Sequence, residues 1–208
     1  MKAPKRFLLA STCLAILVTS AVAAAPTEAA PQKLGGGSRL PISLAFRAGY
    51  QTTALTGGGQ RSPGGFALGL DSEIRPTRYL GVGIWATFSS HNGTRAPQST
   101  AATAGAADSA GTLTTFPVNA SLLLHLQHRR LDAHVGAGPT LVSWKLAALE
   151  RGTGARSGND PGAHLRAGLA VRVAGDTSAY LEAVHTYTPG FPFGEHQDQI
   201  ALGTRVAF

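Results

Sequence analysis

From about residue 42 onward, large apolar residues recur at every second position. Ile42, Leu44, Phe46, Ala48 and Tyr50 alternate with Ser43, Ala45, Arg47 and Gly49. Successive side chains of a strand point to opposite faces, so this period of two predicts a strand with one greasy face. The pattern returns over residues 66–75, 80–88, 115–125, 131–141, 164–173 and 179–187. In the last of these, Val184 and His185 fall on the wrong faces for a simple alternation. The final segment, QIALGTRVAF, puts Ile200, Leu202, Thr204, Val206 and Phe208 on one face and Ala201, Gly203, Arg205 and Ala207 on the other. Eight predicted strands result, an even number, as a closed antiparallel barrel requires.

Alternation by itself does not say which face points inward. Three asymmetries assign the apolar row to the outside. The other row is rich in Gly and Ala with scattered charges, which suits a narrow interior better than a water-exposed wall. The connections alternate in length: 76–78, 127–130 and 174–178 are short, whereas 52–64, 89–113, 143–162 and 188–198 are long. Membrane barrels have short periplasmic turns and long external loops. Aromatic residues also mark strand ends, as at Tyr50, Phe66, Tyr79, Phe88, Phe116, Trp144, Tyr187 and Phe208, where a girdle at the headgroup level would lie.

Composition supports the same reading. Charged residues make up 14% of the chain, and 26 of its 208 residues are Gly. Soluble domains carry ~25% charge. Closed barrels reconcile low charge with neutral hydropathy, because each strand needs only one apolar face. The formal charge is +7, of which Lys2, Lys5 and Arg6 supply three units. The mild excess left over is spread along the chain and forms no stripe for a nucleic acid.

The N-terminal segment reads as a cleavable signal peptide over residues 1–25. A positive start is followed by an apolar stretch from Phe7 to Val22 and by small residues suited to cleavage. The stretch is short of the ~20 apolar residues of a spanning helix. Cys13, the one cysteine, falls inside it, so the mature chain has no thiol for a disulfide or metal site. Residues 26–39, rich in Pro, Ala and Gly, form a lead into one domain at 40–208.

These features resemble the small eight-stranded outer-membrane barrels of the OmpA/OmpX type, within the broad outer-membrane β-barrel family. The resemblance rests on strand count, loop asymmetry and QIALGTRVAF. It is also carried by FPVNASLLLHL followed by LDAHVGAGP, similar to a hairpin of such barrels. The implied fold is all-β: an eight-stranded antiparallel up-and-down transmembrane β-barrel preceded by a cleavable signal peptide. The resemblance further implies Sec export, residence in the outer membrane as a monomer, contact with outer-membrane lipid and lipopolysaccharide, and handling by the barrel-assembly machinery through Gly203, Val206 and Phe208.

An eight-stranded barrel is just wide enough inside for its own side chains. Arg47, Asp71, Glu73, Arg75, His134, Arg166, Arg172, Glu182 and Arg205 are the expected inward charges, paired to offset the cost of burial. In the loops, Arg61, Arg95, Arg151 and Arg156 suit lipopolysaccharide phosphates, since guanidinium binds phosphate through two hydrogen bonds. Phe191 and Phe193, between prolines and glycines, read as an exposed contact point.

No catalytic, cofactor or metal site is expected. His125, His128 and His134 do not share a face, although Asp132 and His134 do. The known lipid A deacylase barrels, which this chain resembles in size, use a His two residues before a Ser on a late strand. Here His185 precedes Tyr187 at that spacing. The function expected is a non-enzymatic barrel acting through its external loops. A lipid A-modifying barrel enzyme and a secreted soluble ligand-binding barrel are the alternatives.

Overall fold

The computed structural model describes residues 42–54, 61–95, 110–148 and 155–208. The expected signal peptide and lead lie outside the described residues. Among these residues eight strands follow one another: β1 (Ile42–Ala54), β2 (Arg61–Ile74), β3 (Leu80–Arg95), β4 (Ala110–His128), β5 (Leu131–Ala148), β6 (Arg156–Ala174), β7 (Thr177–Tyr187) and β8 (His196–Ala207). Each pairs antiparallel with its neighbour, and β1 pairs with β8 to close the barrel. At the closing seam Leu44 faces Val206 and Ala48 faces Leu202. Closure leaves no unpaired edge, the condition for a sheet to sit in hydrocarbon.

The period of two holds along the strands, with register shifts between Gln51 and Thr53, Asn92 and Thr94, and Arg172 and Ala174. Leu70, Ile84 and Leu202 are 67, 62 and 65% exposed, whereas Arg47, Glu73 and Glu182 are 0, 1 and 1% exposed. Large apolar side chains therefore cover the outer wall and charged ones fill the lumen. Leu68, Val82 and Leu169, which a soluble ligand-binding barrel would turn inward, face outward. That arrangement removes the soluble barrel from the alternatives. The irregularity expected in β7 is one of residue type and not of backbone: Tyr180, Glu182, Val184 and Thr186 all face the lumen, so Val184 and His185 do lie against the rule. Val184 is an apolar residue on the inward row, and His185 an imidazole on the outward one.

The strands run further than their apolar periodicity. β4 and β6 have 19 residues each, while β7 and β8 have 11 and 12. A membrane strand needs about 9–11 residues. Tight turns join β4 to β5 at Arg129 and Arg130, and β6 to β7 at Gly175 and Asp176, so the extra length projects from the opposite end. Parts of the expected long loops at 89–113 and 143–162 are thus strand, as in the pairs His91–Leu113 and Ser143–Asn159. Beyond the lipid both faces of a strand meet water or lumen, and apolar alternation fades although the ladder continues. The rim is consequently tall at β4–β6 and low at β7–β8. Gly175 adopts φ 50° in its turn, a conformation open to glycine at no steric cost. Arg129 takes φ 51° in the other, a position where glycine or asparagine is the usual occupant.

Candidate functional site

The lumen is the part of the molecule where chemistry-bearing side chains converge. Alternation aims one residue in two from every strand at a space too narrow for water-filled passage, so the side chains must satisfy one another. They group into three tiers, in which several buried polar atoms, such as Arg47 Nε, Asp71 Oδ1 and Asn119 Nδ2, still lack a hydrogen-bond partner among the described residues.

The tier toward the short turns is ionic. Glu182 of β7 accepts from Arg47 Nη1 of β1 at 2.6 Å and from Arg166 Nε of β6 at 2.9 Å. Arg166 Nη2 donates to Asp71 of β2 at 2.7 Å. His134 Nε2 of β5 lies 3.1 Å from Glu182 Oε2. Three strands, β1, β5 and β6, are thereby tied to one carboxylate of β7 across the bore. Arg47 also donates to Thr87 at 3.0 Å and lies over the Trp85 ring at 3.7 Å, a cation–π contact. A second ionic group sits nearer the turns. Arg75 reaches Glu73 at 2.5 Å and Asp132 at 2.6 Å, His125 lies 2.8 Å from Glu73 and 2.9 Å from Asp132, and Arg205 is 3.1 Å from Glu73. Arg75 stands just past the end of β2. Burial works against its charge, but the two carboxylates outweigh that and raise its pKa. Asp132 thus pairs with His125, while His134 belongs to Glu182.

The middle tier is neutral. Trp85 Nε1 donates to Ser121 Oγ at 3.2 Å, Ser121 meets His164 Nε2 at 2.8 Å, and His164 Nδ1 meets Thr140 Oγ1 at 2.9 Å. Thr140 in turn donates to Asn119 Oδ1. Gly203 of β8, one of the residues expected to guide assembly, faces this interior. A Cβ there would strike the Tyr180 ring and the Phe46 carbonyl, so glycine is what lets the ring approach β8 this closely. Val206 and Phe208 face outward, and the Phe208 amide donates to the Ile42 carbonyl at 2.8 Å.

The outer tier is apolar on one side. Leu113, Val142 and Leu146, from β4 and β5, form a buried cluster with Phe191 and Phe193, and Trp144 packs against it. The Trp144 ring is edge-on to both phenyl rings, at 6.4 and 5.1 Å. Trp144 Nε1 donates to Asp160 at 2.7 Å.

No family model matches the chain, and no curated protein matches it in sequence. Solved structures do match. Neisserial surface protein A superposes with a TM-score of 0.62 at 13% identity, over 80% of this chain and 97% of that one. The attachment invasion locus protein Ail of Yersinia pestis, solved with the heparin analogue sucrose octasulfate, gives 0.55 at 11% identity, over 80 and 99%. The outer membrane protein OprG of Pseudomonas aeruginosa gives 0.54 at 13% identity, over 80 and 95%. The chain has the fold of the small eight-stranded outer-membrane barrels. At these identities the likeness is one of architecture.

Placing the remaining expected residues on this barrel separates them. Arg47, Asp71, Glu73, Arg166, Glu182 and Arg205 lie together in the lumen. Arg172 does not: it shares their parity but falls at the exposed end of β6, past Ala170, the last buried inward residue there. Parity fixes direction, whereas burial also requires depth. Phe191 and Phe193 are 3 and 1% exposed, so the expected exposed contact point is instead part of the barrel's filling. Their burial is worth more than a solvated loop position, since each ring removes a large apolar area from water. Arg156 is exposed at the start of β6. Arg61 begins β2 and Arg95 ends β3, their side chains outside the described residues, as is all of Arg151.

One grouping escaped the sequence reading. On the outer face of the low rim, His185 Nδ1 lies 2.7 Å from Asp198 Oδ1, and His196 Nδ1 lies 3.3 Å from His185 Nε2. The two imidazoles stack at 5.3 Å, with Tyr187 tilted against His196. The signal available was that β7 and β8 are adjacent and antiparallel, which brings 185 opposite 198. Among the described residues, no cluster of three or more His, Cys, Asp and Glu is arranged to hold a metal ion.

Proposed function

We propose that this protein is a non-enzymatic, integral outer-membrane β-barrel that acts as a structural or surface-interaction protein through its tall outer rim. The observation carrying this reading is the inversion of the usual soluble pattern: a continuous belt of exposed Leu, Ile, Val and Phe surrounds a lumen of paired charges. In water such a belt would exceed by far the few hundred Å² of apolar patch that a monomer tolerates. Lipid removes that penalty. The ionic tier bridges the bore, which argues for a plug that fixes strand register over a solute channel. Sec export, the barrel-assembly machinery, lipopolysaccharide and a monomeric state belong to the same proposal. Fractionation tests it. The full chain expressed in a Gram-negative host should remain with detergent-resistant outer membrane and shift its gel mobility on heating. Recovery from the periplasmic soluble fraction would reject it.

A lipid-modifying enzyme is the second reading, favoured by one observation: Asp198 holds His185 on the lipid-facing side, as an orienting carboxylate holds a general base. Thr186 points into the lumen and is buried, so it is no nucleophile for that imidazole. An altered lipid A mass profile on overexpression, lost in His185→Ala, would support the enzyme. An unchanged profile leaves the non-enzymatic barrel.

A further inference from the structure

The segment between β7 and β8 crosses the mouth of the barrel. It leaves the low rim at Thr188 and returns at Glu195, and its base is tied by the Thr188 amide donating to the Glu195 carbonyl at 2.8 Å. Its tip lands on Leu113, Val142 and Leu146 of β4 and β5. In an eight-stranded ring, β4 lies diametrically opposite β8. Gly190 and Gly194, on either side of the two phenylalanines, take φ of 85° and 123°, which side chains rarely permit. The segment is therefore a bar with a glycine at each shoulder, and its two rings occupy space that the strands themselves leave open.

The wall beneath the near end of this bar has a different character. Gln51 of β1 and Gln197 and Gln199 of β8 face inward and are 2, 3 and 6% exposed. Gln51 Nε2 donates to Gln197 Oε1 at 2.8 Å. Among the described residues, Gln51 Oε1, Gln197 Nε2 and Gln199 Nε2 have no hydrogen-bond partner. A buried polar atom without a partner is costly, and three such amide atoms on one wall mark a place that polar atoms of a ligand could meet. No charged side chain from the ionic tier bonds to them. An apolar aromatic wall on β4–β5 thus faces a carboxamide wall on β1–β8, under this bar.

We infer that the outer half of the lumen is a binding chamber for a small, uncharged amphiphile with an aromatic or aliphatic body and an amide group, and that Phe191 and Phe193 occupy the place of its apolar body. The amide of the ligand accepts from the free N–H of Gln199 and donates to Gln51 Oε1, which lies opposite it across the seam. Its body replaces the phenyl rings against Trp144. This goes beyond the proposed role of the rim as a contact surface and does not depend on it.

The test uses the full barrel in lipid nanodiscs, with acetanilide, an uncharged aryl amide, as the probe. The readout is the indole N–H resonance of Trp144, whose donor bond to Asp160 reports the apolar wall. A self-occupied site lowers apparent affinity by the fraction of time it is open. The Phe191→Ala/Phe193→Ala variant should therefore bind acetanilide at least about tenfold more tightly than the unaltered chain. Adding Gln199→Met should reverse most of that gain, because it removes the donor and keeps the volume. If the double variant does not reach the folded, heat-shifted form, Phe193→Leu frees one ring's width and should show the same direction. Equal affinity in all forms, a shift that never saturates (partition into bilayer only), or indifference to Gln199→Met would overturn the inference.

Discussion

The two halves of the lumen are filled by different means. Toward the short turns, inward residues of the strands reach across the bore and neutralise one another, with Glu182 shared by Arg47, Arg166 and His134. Toward the outer rim, much of the filling comes from a connecting segment, whose Phe191 and Phe193 lie on an apolar wall. The first arrangement is locked by strand register, since a one-residue slip would turn every charge into lipid. The second can leave without breaking a single ladder bond. One half is thus bound to the global stability of the barrel and the other is separable from it.

Substitutions break this comparison or sharpen it, and the largest effect belongs to the ionic half. Glu182→Ala leaves two buried guanidiniums short of a partner and should lower unfolding free energy by about 3–5 kcal/mol, as removal of one member of a buried pair does. Urea titration of the barrel folded into lipid measures it. A smaller loss, about 2–4 kcal/mol, is expected for Leu202→Arg, which puts a charge in the apolar belt. Repeating the change at Tyr187, by the outer rim, should cost only about 0–1 kcal/mol by the same titration, because the penalty falls with distance from the bilayer midplane. Phe193→Ala would cost about 3–5 kcal/mol in an ordinary core. Here the bar can swing away, so the global midpoint should move little, while protease cleavage within residues 188–195 of intact cells should rise several-fold. A full core-sized loss in urea would show the two halves to be one cooperative unit. The smallest effect is Arg172→Ala, expected within about 0.5 kcal/mol in either direction, as for exposed positions away from special contacts.

Much of the ionic half could be read in the sequence because it is a matter of parity. Arg47, Asp71, Glu73, Arg166, Glu182 and Arg205 each sit between two lipid-facing residues, so alternation alone aims them inward. Arg172 satisfies the same parity and is still exposed, since alternation carries no information on how far along the strand the lumen remains closed. The outer half was illegible for a different reason. Phe191 and Phe193 lie in TPGFPFGE, where no period operates. Their burial depends on an apolar wall made by Leu113, Val142 and Leu146, some 45–80 positions earlier in the chain. The extension of β4–β6 beyond the apolar pattern was hidden likewise, because hydrogen bonding of the ladder does not require it. The His185–Asp198 pair needed the register of β7 against β8, which alternation leaves free by any even number of residues.

The inside-out wall is tested most directly by oxygen and nickel-chelate accessibility of single spin labels. Labelled cysteines at Leu70, Ile84, Leu122 and Leu202, in a chain whose only natural cysteine is Cys13, give the readout in lipid vesicles. All four should be reached by oxygen and shielded from the chelate, as positions in hydrocarbon are. Ready access of the aqueous chelate to these positions, or immobilised labels shielded from both reagents, would mean that water or a second layer of protein covers the bulky row.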